Sequence, residues 1–185
     1  VYEDEDLIIL NKAAGMPVHP SQGHHENTLA NALAYRFASR GEHFVFRAVN
    51  RLDRDTTGLL LIAKHKISGA FLSAMTAKKE IRREYLAIVS GKPEEYGTID
   101  LPIARKDGST IERCIDMEHG EHAVTHYRCL DYRDDLDCSL VLLRLETGRT
   151  HQIRVHMKAI GHPLLGDFLY NPDSVSYTHL TLPTT

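Results

Sequence analysis

Apolar positions along the chain fall into short runs of two kinds. "DLIILNK" (6–12), "GLLLIAK" (58–64), "REYLAIVSG" (83–91) and "CSLVLLRLETG" (138–148) are continuous or alternating over strand-like lengths, and the last is the longest strand candidate. "NTLANALAYRFAS" (27–39) places Leu29, Leu33 and Phe37 on one helical face, with Asn27 or Thr28 as N-cap. "SGAFLSAMTAKK" (68–79) predicts a second helix. "RTHQIRVHMKAIG" (149–161) predicts a third, with Thr150 near its N-cap and Gly161 ending it. From roughly 97 to 135 the pattern breaks into short strands and turns, with boundaries good to a few residues. Strands grouped with a few helices, without a steady βαβ rhythm, predict an α+β fold: a mixed, largely antiparallel sheet with flanking helices. No internal repeat, low-complexity tract or convincing linker stands out, so one domain is expected.

The third helix carries more than a core stripe. Ile153, Met157 and Ile160 fall at core spacing; Thr150, His151, Arg154 and Lys158 line a neighbouring stripe, and Arg149, Gln152 and His156 another. So many donors around one narrow apolar stripe suit either a site or a basic rim, and spacing alone leaves both readings open.

Composition narrows the class. The 185 residues are 42% hydrophobic and 25% charged, which fits a soluble globular chain with a real core. No apolar run reaches membrane-spanning length, and no basic-then-apolar leader opens the chain, so no membrane role is expected. Cys114, Cys129 and Cys138 are an odd number without CxxC spacing, which predicts a reduced, cytoplasmic setting. The net charge of −3 hides segregation: residues 1–6 and 131–137 are acidic, whereas 64–84 and 144–158 are basic. A local basic face is what a polyanion feels, so phosphate and nucleic acid stay open as partners. Taken alone, the 64–84 cluster reads as an ordinary solvated face.

Chemistry concentrates in "RAVNRLDRDTTGLLLIAK" (47–64), where Arg51, Asp53, Arg54 and Asp55 directly precede a run built for burial. One reading takes Asp53 to Thr57 as the D-x-D-x-T motif of a Mg²⁺-dependent aspartate-nucleophile phosphohydrolase, with "RDDLD" (133–137) as the metal-holding acidic pair. That motif should follow an apolar strand, whereas here the apolar run comes after it, so this reading ranks second. The other takes Asp53 as a single working carboxylate beside an apolar wall. Desolvation would push it towards the neutral form, and an arginine pairing resists that drift; Arg154 is a credible donor. The spacing of His119, His122 and His126 would suit a metal only on a helix, and "AVTHYRCL" is rich in strand formers, so no metal is expected.

These segments carry a family resemblance. "VNRLDRDTTGLLLIAK" resembles the R-L-D-x-x-T-[ST]-G-L active-site motif of the RluA family of RNA pseudouridine synthases. "REYLAIVSGKP" is similar to that family's tyrosine-bearing motif, and "LETGRTHQIRVHMKAIGHPLLGDFLY" to its arginine-bearing one. The opening "VYEDEDLIILNKAAGMPVHPSQGHHENTLANAL" resembles the branch that modifies RNA of the large ribosomal subunit. Agreement runs from residue 1 to about residue 173, in the family's order.

The resemblance implies the pseudouridine synthase catalytic fold and an isomerase that converts uridine to pseudouridine in structured RNA, chiefly ribosomal RNA. It implies no cofactor and a monomer. It makes Asp53 the essential aspartate, Tyr85 the residue packed on the target base, and Arg154 the partner that keeps Asp53 ionised. Arg51, Arg149, His151 and Gln152 become RNA-binding positions framing the cleft, and Asp55 has no catalytic part. Asn50 stands where many members have histidine, and Ala13 where proline is usual; both are expected to be tolerated. The family continues beyond "GDFLY" with further strands, so 1–173 reads as a partial catalytic domain, incomplete at its C-terminal end. The tail "SVSYTHLTLPTT" (174–185) reads as non-native sequence, with truncation as the expectation. Such a fragment could also be a non-catalytic RNA-binding module.

Overall fold

The computed structural model of the protein describes residues 1–21, 23 and 25–172. They form two compact units, Val1–Ile81 and the part beginning at Arg82. The tail at 174–185 lies outside the described residues.

The first unit holds a three-stranded sheet in the order β1 (Tyr2–Glu3), β2 (Leu7–Lys12), β3 (Gly58–Ala63), with both pairings antiparallel. β2 meets β3 over its full length, Leu7 opposite Ala63 and Lys12 opposite Gly58. Helix α1 (Leu29–Ala38) turns Leu29, Leu33 and Phe37 into the core against Ile8, Leu60 and Ile62, as their spacing requires. Each such side chain contributes roughly 1.5–3 kcal/mol when fully buried. Thr28 caps the helix: its hydroxyl accepts from the Asn31 amide, and the Asn31 side chain answers to the Thr28 amide. Helix α2 (Lys66–Ala77) starts two residues before the predicted position because His65 is its cap; the imidazole Nδ1 accepts from Ser68 N at 3.2 Å. Histidine is an uncommon cap, which is why the start was misplaced.

The second unit is a four-stranded antiparallel sheet in the order β4 (Glu84–Ser90), β9 (Cys138–Leu145), β8 (Val124–Arg133), β5 (Tyr96–Asp100). A separate hairpin pairs β6 (Ile103–Arg105) with β7 (Arg113–Ile115), and α3 (Gln152–Ala159) closes the unit. The α+β expectation holds, but every strand pairing among the described residues is antiparallel, so the sheets are not mixed. β8, not β9, is the longest strand. Its outer face carries polar side chains, and a register shift between Cys129 and Asp131 breaks its alternation, so the sequence pattern looked like fragments. Val89, Ile99, Val141, Leu143 and Met157 form the main core of this unit, with Ile153 and Ile160 packed against it, which places the predicted α3 stripe inward.

Candidate active site

In the first unit the predicted site residues Arg51 and Asp53 lie on the loop that enters β3. Residues 47–50 run beside β3: Ala63 N donates to Arg47 O and Val49 N to Leu61 O. Asn50 continues this pairing with its side chain, donating from Nδ2 to Leu59 O at 3.1 Å and accepting from Leu61 N at 2.9 Å. Leu52 then packs against the core, and a tight turn follows in which Asp53 O accepts from Thr56 N. Gly58, at φ +125°, allows the chain to enter β3 directly after the turn. Asp53 is half-buried on this turn, and Arg51, Arg54 and Asp55 are exposed. The charges therefore sit at the mouth of the loop while Leu52 anchors it below.

A buried lysine holds the loop from beneath. Lys12 ends β2 with only 2% exposure, and its three ammonium protons reach Ala13 O at 2.8 Å, Met16 O at 2.9 Å and Arg54 O at 2.7 Å. Three carbonyls satisfy all the donors of one ammonium group. Burial pulls its pKa below the ordinary lysine value, and the negative charges of Asp55 and Asp53 oppose that pull. The loop that presents Asp53 is thus tied to a buried cation one residue along.

In the second unit the predicted site residues from Arg149 to Arg154 lie at the junction from β9 into α3. Thr150 does not cap the helix. The N-cap is His151, in the left-handed region at φ 58° and without a side-chain capping bond. A non-glycine residue held there costs of order 1 kcal/mol and persists only where its surroundings enforce it. His151 Nδ1 lies 2.8 Å from the Tyr170 hydroxyl, which also accepts from Arg113 N. Arg149 pairs with Glu121 and donates from Nε to His122 O. Arg154 donates from Nε and Nη2 to the two oxygens of Asp167, both at 2.7 Å, and its guanidinium lies 4.7 Å from the centre of the Tyr170 ring. Burial works against the charge on Asp167, but the Arg154 pairing and the Tyr170 and Leu169 amides outweigh it and hold the carboxyl below its ordinary range.

The stripe of Gln152 and His156, read from the sequence as possible donors to a site, turns inward. Gln152 is 3% exposed and His156 fully buried. The Gln152 amide donates to Val124 O and Thr125 Oγ1, while its oxygen accepts from Thr147 Oγ1 and Arg149 N. His156 Nε2 must donate to Leu101 O, so Nδ1 is the acceptor facing Thr125 Oγ1 at 2.9 Å. Each member is satisfied, and the chain fixes the 147–152 junction to β8. Burial lowers the His156 pKa against small opposing contributions from the Leu101 carbonyl and Asp100. Such a group destabilises the fold when it must be protonated. Its contribution is complete above the ordinary histidine value, about 6.5, and declines as pH falls from there towards the lower folded value. Denaturant midpoints are therefore expected to fall between pH 7.5 and 5.5, and to fall less in His156→Asn; equal declines would contradict this.

Tyr85, the remaining predicted site residue, lies on β4 opposite Leu143, half-buried against the core that also takes Ile153 and Met157. Asp53 and Arg51 thus belong to the first unit, and Tyr85, Arg149, His151, Gln152 and Arg154 to the second.

The family model described as RNA pseudouridylate synthase matches residues 6–159. The chain belongs to this family. It is 47% identical over 175 residues to ribosomal large subunit pseudouridine synthase D of Zymomonas mobilis subsp. mobilis, covering 92% of this chain and 55% of that protein. An uncharacterized RNA pseudouridine synthase of Bacillus subtilis is 43% identical over 175 residues, covering 94% of this chain and 58% of its own length. The chain therefore spans little more than half of these curated relatives. Among solved structures, human RNA pseudouridylate synthase domain containing 1 superposes with a TM-score of 0.75 at 30% identity, over 92% of this chain and 68% of that one.

As a member of the RNA pseudouridylate synthase family, the chain does not favour the phosphohydrolase alternative, and the local structure agrees. β3 follows the D-x-D-x-T segment rather than leading into it, Asp55 is engaged by Arg54 at 3.0 Å, and Asp135 is engaged by Arg133 at 2.7 Å. Among the described residues no group of three or more His, Cys, Asp or Glu converges for a metal; His119, His122 and His126 face Asp116, Asp100 and Glu146 separately. Sequence reasoning missed Lys12, Asp167 and Tyr170. A signal existed for the first: Ile8, Leu10 and Lys12 share one face of β2, so alternation places the lysine inward.

Proposed function

We propose that the protein isomerises uridines of structured RNA, ribosomal RNA above all, to pseudouridine. The observation that carries this reading is the Asp53 turn: a half-buried carboxylate on a short loop, fixed by Leu52, Asn50 and the buried Lys12, in a chain of the pseudouridylate synthase family. In the reaction the N1–C1′ bond breaks, the uracil turns, C5 bonds to C1′, and the C5 proton leaves. Asp53 either adds to C1′ or takes a sugar proton to give a glycal. The rearrangement is redox-neutral and consumes no water, so it calls for no cofactor. Tyr85 offers an aromatic face to the unstacked base, whose release from the helix costs a few kcal/mol, and its hydroxyl helps remove the C5 proton. Arg154 is assigned the part of cationic partner to the working carboxylate, as the family resemblance implies. Arg51, Arg149 and His151 meet the RNA, while Gln152, being buried, serves by holding the Arg149 backbone in place. The protein acts as a monomer in the cytoplasm, where ribosomal RNA is its partner.

Incubation with a ribosomal RNA transcript, followed by chemical mapping of pseudouridine, tests this. Modified sites are expected, with yields indifferent to EDTA. Salt-dependent RNA binding that leaves every uridine unchanged would favour a binding fragment instead.

A further inference from the structure

The sequence motifs account for Arg154 but not for what fixes it. Asp167 has 5% side-chain exposure and accepts four hydrogen bonds. Arg154 Nε reaches Oδ2, while Arg154 Nη2, Leu169 N at 3.1 Å and Tyr170 N at 3.2 Å all reach Oδ1. The two amides lock the carboxylate to the turn that follows it, and that same turn carries Tyr170 beneath the guanidinium. The Tyr170 hydroxyl is itself tied to β7 through Arg113 N and to His151 at the start of α3. A side-on fork through Nε and Nη2 restricts the guanidinium's orientation in its plane, and the Tyr170 ring packs 4.7 Å from it.

We propose that Asp167 is a positioning residue for the reaction: with Tyr170 beneath, it sets the orientation in which Arg154 serves the catalytic carboxylate. This rests on the functional reading above, because Arg154 has a catalytic partner only if Asp53 performs the chemistry. A long arginine side chain at the start of a short helix would otherwise populate many rotamers, and aligning it during the reaction would cost entropy. Asp167 removes that cost in advance. Its own charge also tempers the guanidinium, so the geometry, not maximal charge, is what the pair supplies.

The test is a double-mutant cycle on the rate of pseudouridine formation with a ribosomal RNA transcript. Asp167→Asn keeps an oxygen for the Leu169 and Tyr170 amides but loses the ionic fork. It is expected to lower kcat about tenfold or more with KM little changed, the loss expected when a preorganised group is loosened. In an Arg154→Met background the same substitution is expected to cost nothing further. Arg154→Lys supplies a second measurement that leaves Asp167 untouched: it keeps the charge but cannot form the two-point fork, and is expected to lose kcat to a similar extent. Additive losses in the cycle, or full activity in Arg154→Lys, would overturn the inference while leaving the function intact. A wild-type chain that makes no pseudouridine would instead overturn the functional reading, and this inference with it.

Discussion

Replacing Asp53 with asparagine is expected to stop pseudouridine formation, with a loss of at least about 10³-fold, the scale on which a positioned acid–base or nucleophilic group acts. The amide is nearly the same size and shape as the carboxylate, so packing at the turn stays intact. The turn is closed by the Asp53 backbone carbonyl and the Thr56 amide, neither of which the substitution touches. Leu52 and Lys12 continue to anchor the loop. Circular dichroism and thermal midpoint should therefore match the parent protein while product disappears. Asp55→Asn is the matched control: its carboxylate is exposed and engaged with the neighbouring Arg54, so turnover should persist. Such exposed pairs contribute little to stability.

Lys12→Met is expected to have the largest effect on the fold of the first unit. Methionine fills a similar volume but offers no donor, so the carbonyls of Ala13, Met16 and Arg54 lose a shared partner in a buried place. Each buried polar group left unsatisfied costs about 1–3 kcal/mol. Removing the charge relieves its own burial, so a net destabilisation of about 3 kcal/mol is the expected balance. Activity should fall further than the folded fraction explains, because the Arg54 carbonyl is the point at which Lys12 holds the loop that carries Asp53. Urea unfolding together with turnover per folded molecule separates the two effects. A variant of unchanged stability and rate would show that the lysine is incidental.

The elements whose periodicity is driven by burial were legible in the sequence. β2, β3, α1 and the inward stripe of α3 follow from the apolar spacing at Ile8, Leu60, Leu29, Leu33 and Met157, because each of these side chains sits in a core. What stayed hidden depends on single long-range polar contacts. Asp167 shows no period and finds Arg154 thirteen positions earlier, and His65 caps a helix by an imidazole rather than a hydroxyl. Gln152 and His156 share a helical face with Arg149, so spacing grouped them as donors. Their burial becomes apparent only when Thr125 and the Leu101 carbonyl arrive from other strands. The proposed site positions Asp53, Tyr85 and Arg154 rest on motif resemblance; composition alone would have left Tyr85 as a core tyrosine of β4.

The dependence of turnover on pH, compared between the parent chain and Arg154→Met, tests the account most directly. If the Arg154 guanidinium pairs with the carboxylate that does the chemistry, its removal must raise the apparent pKa that limits the rate, since an unopposed desolvation favours the neutral acid. The acid limb of the profile should therefore move to higher pH, with the rate lowered most near its acid end. An acid limb that stays in place in an active Arg154→Met protein would contradict the pairing on which the mechanism rests.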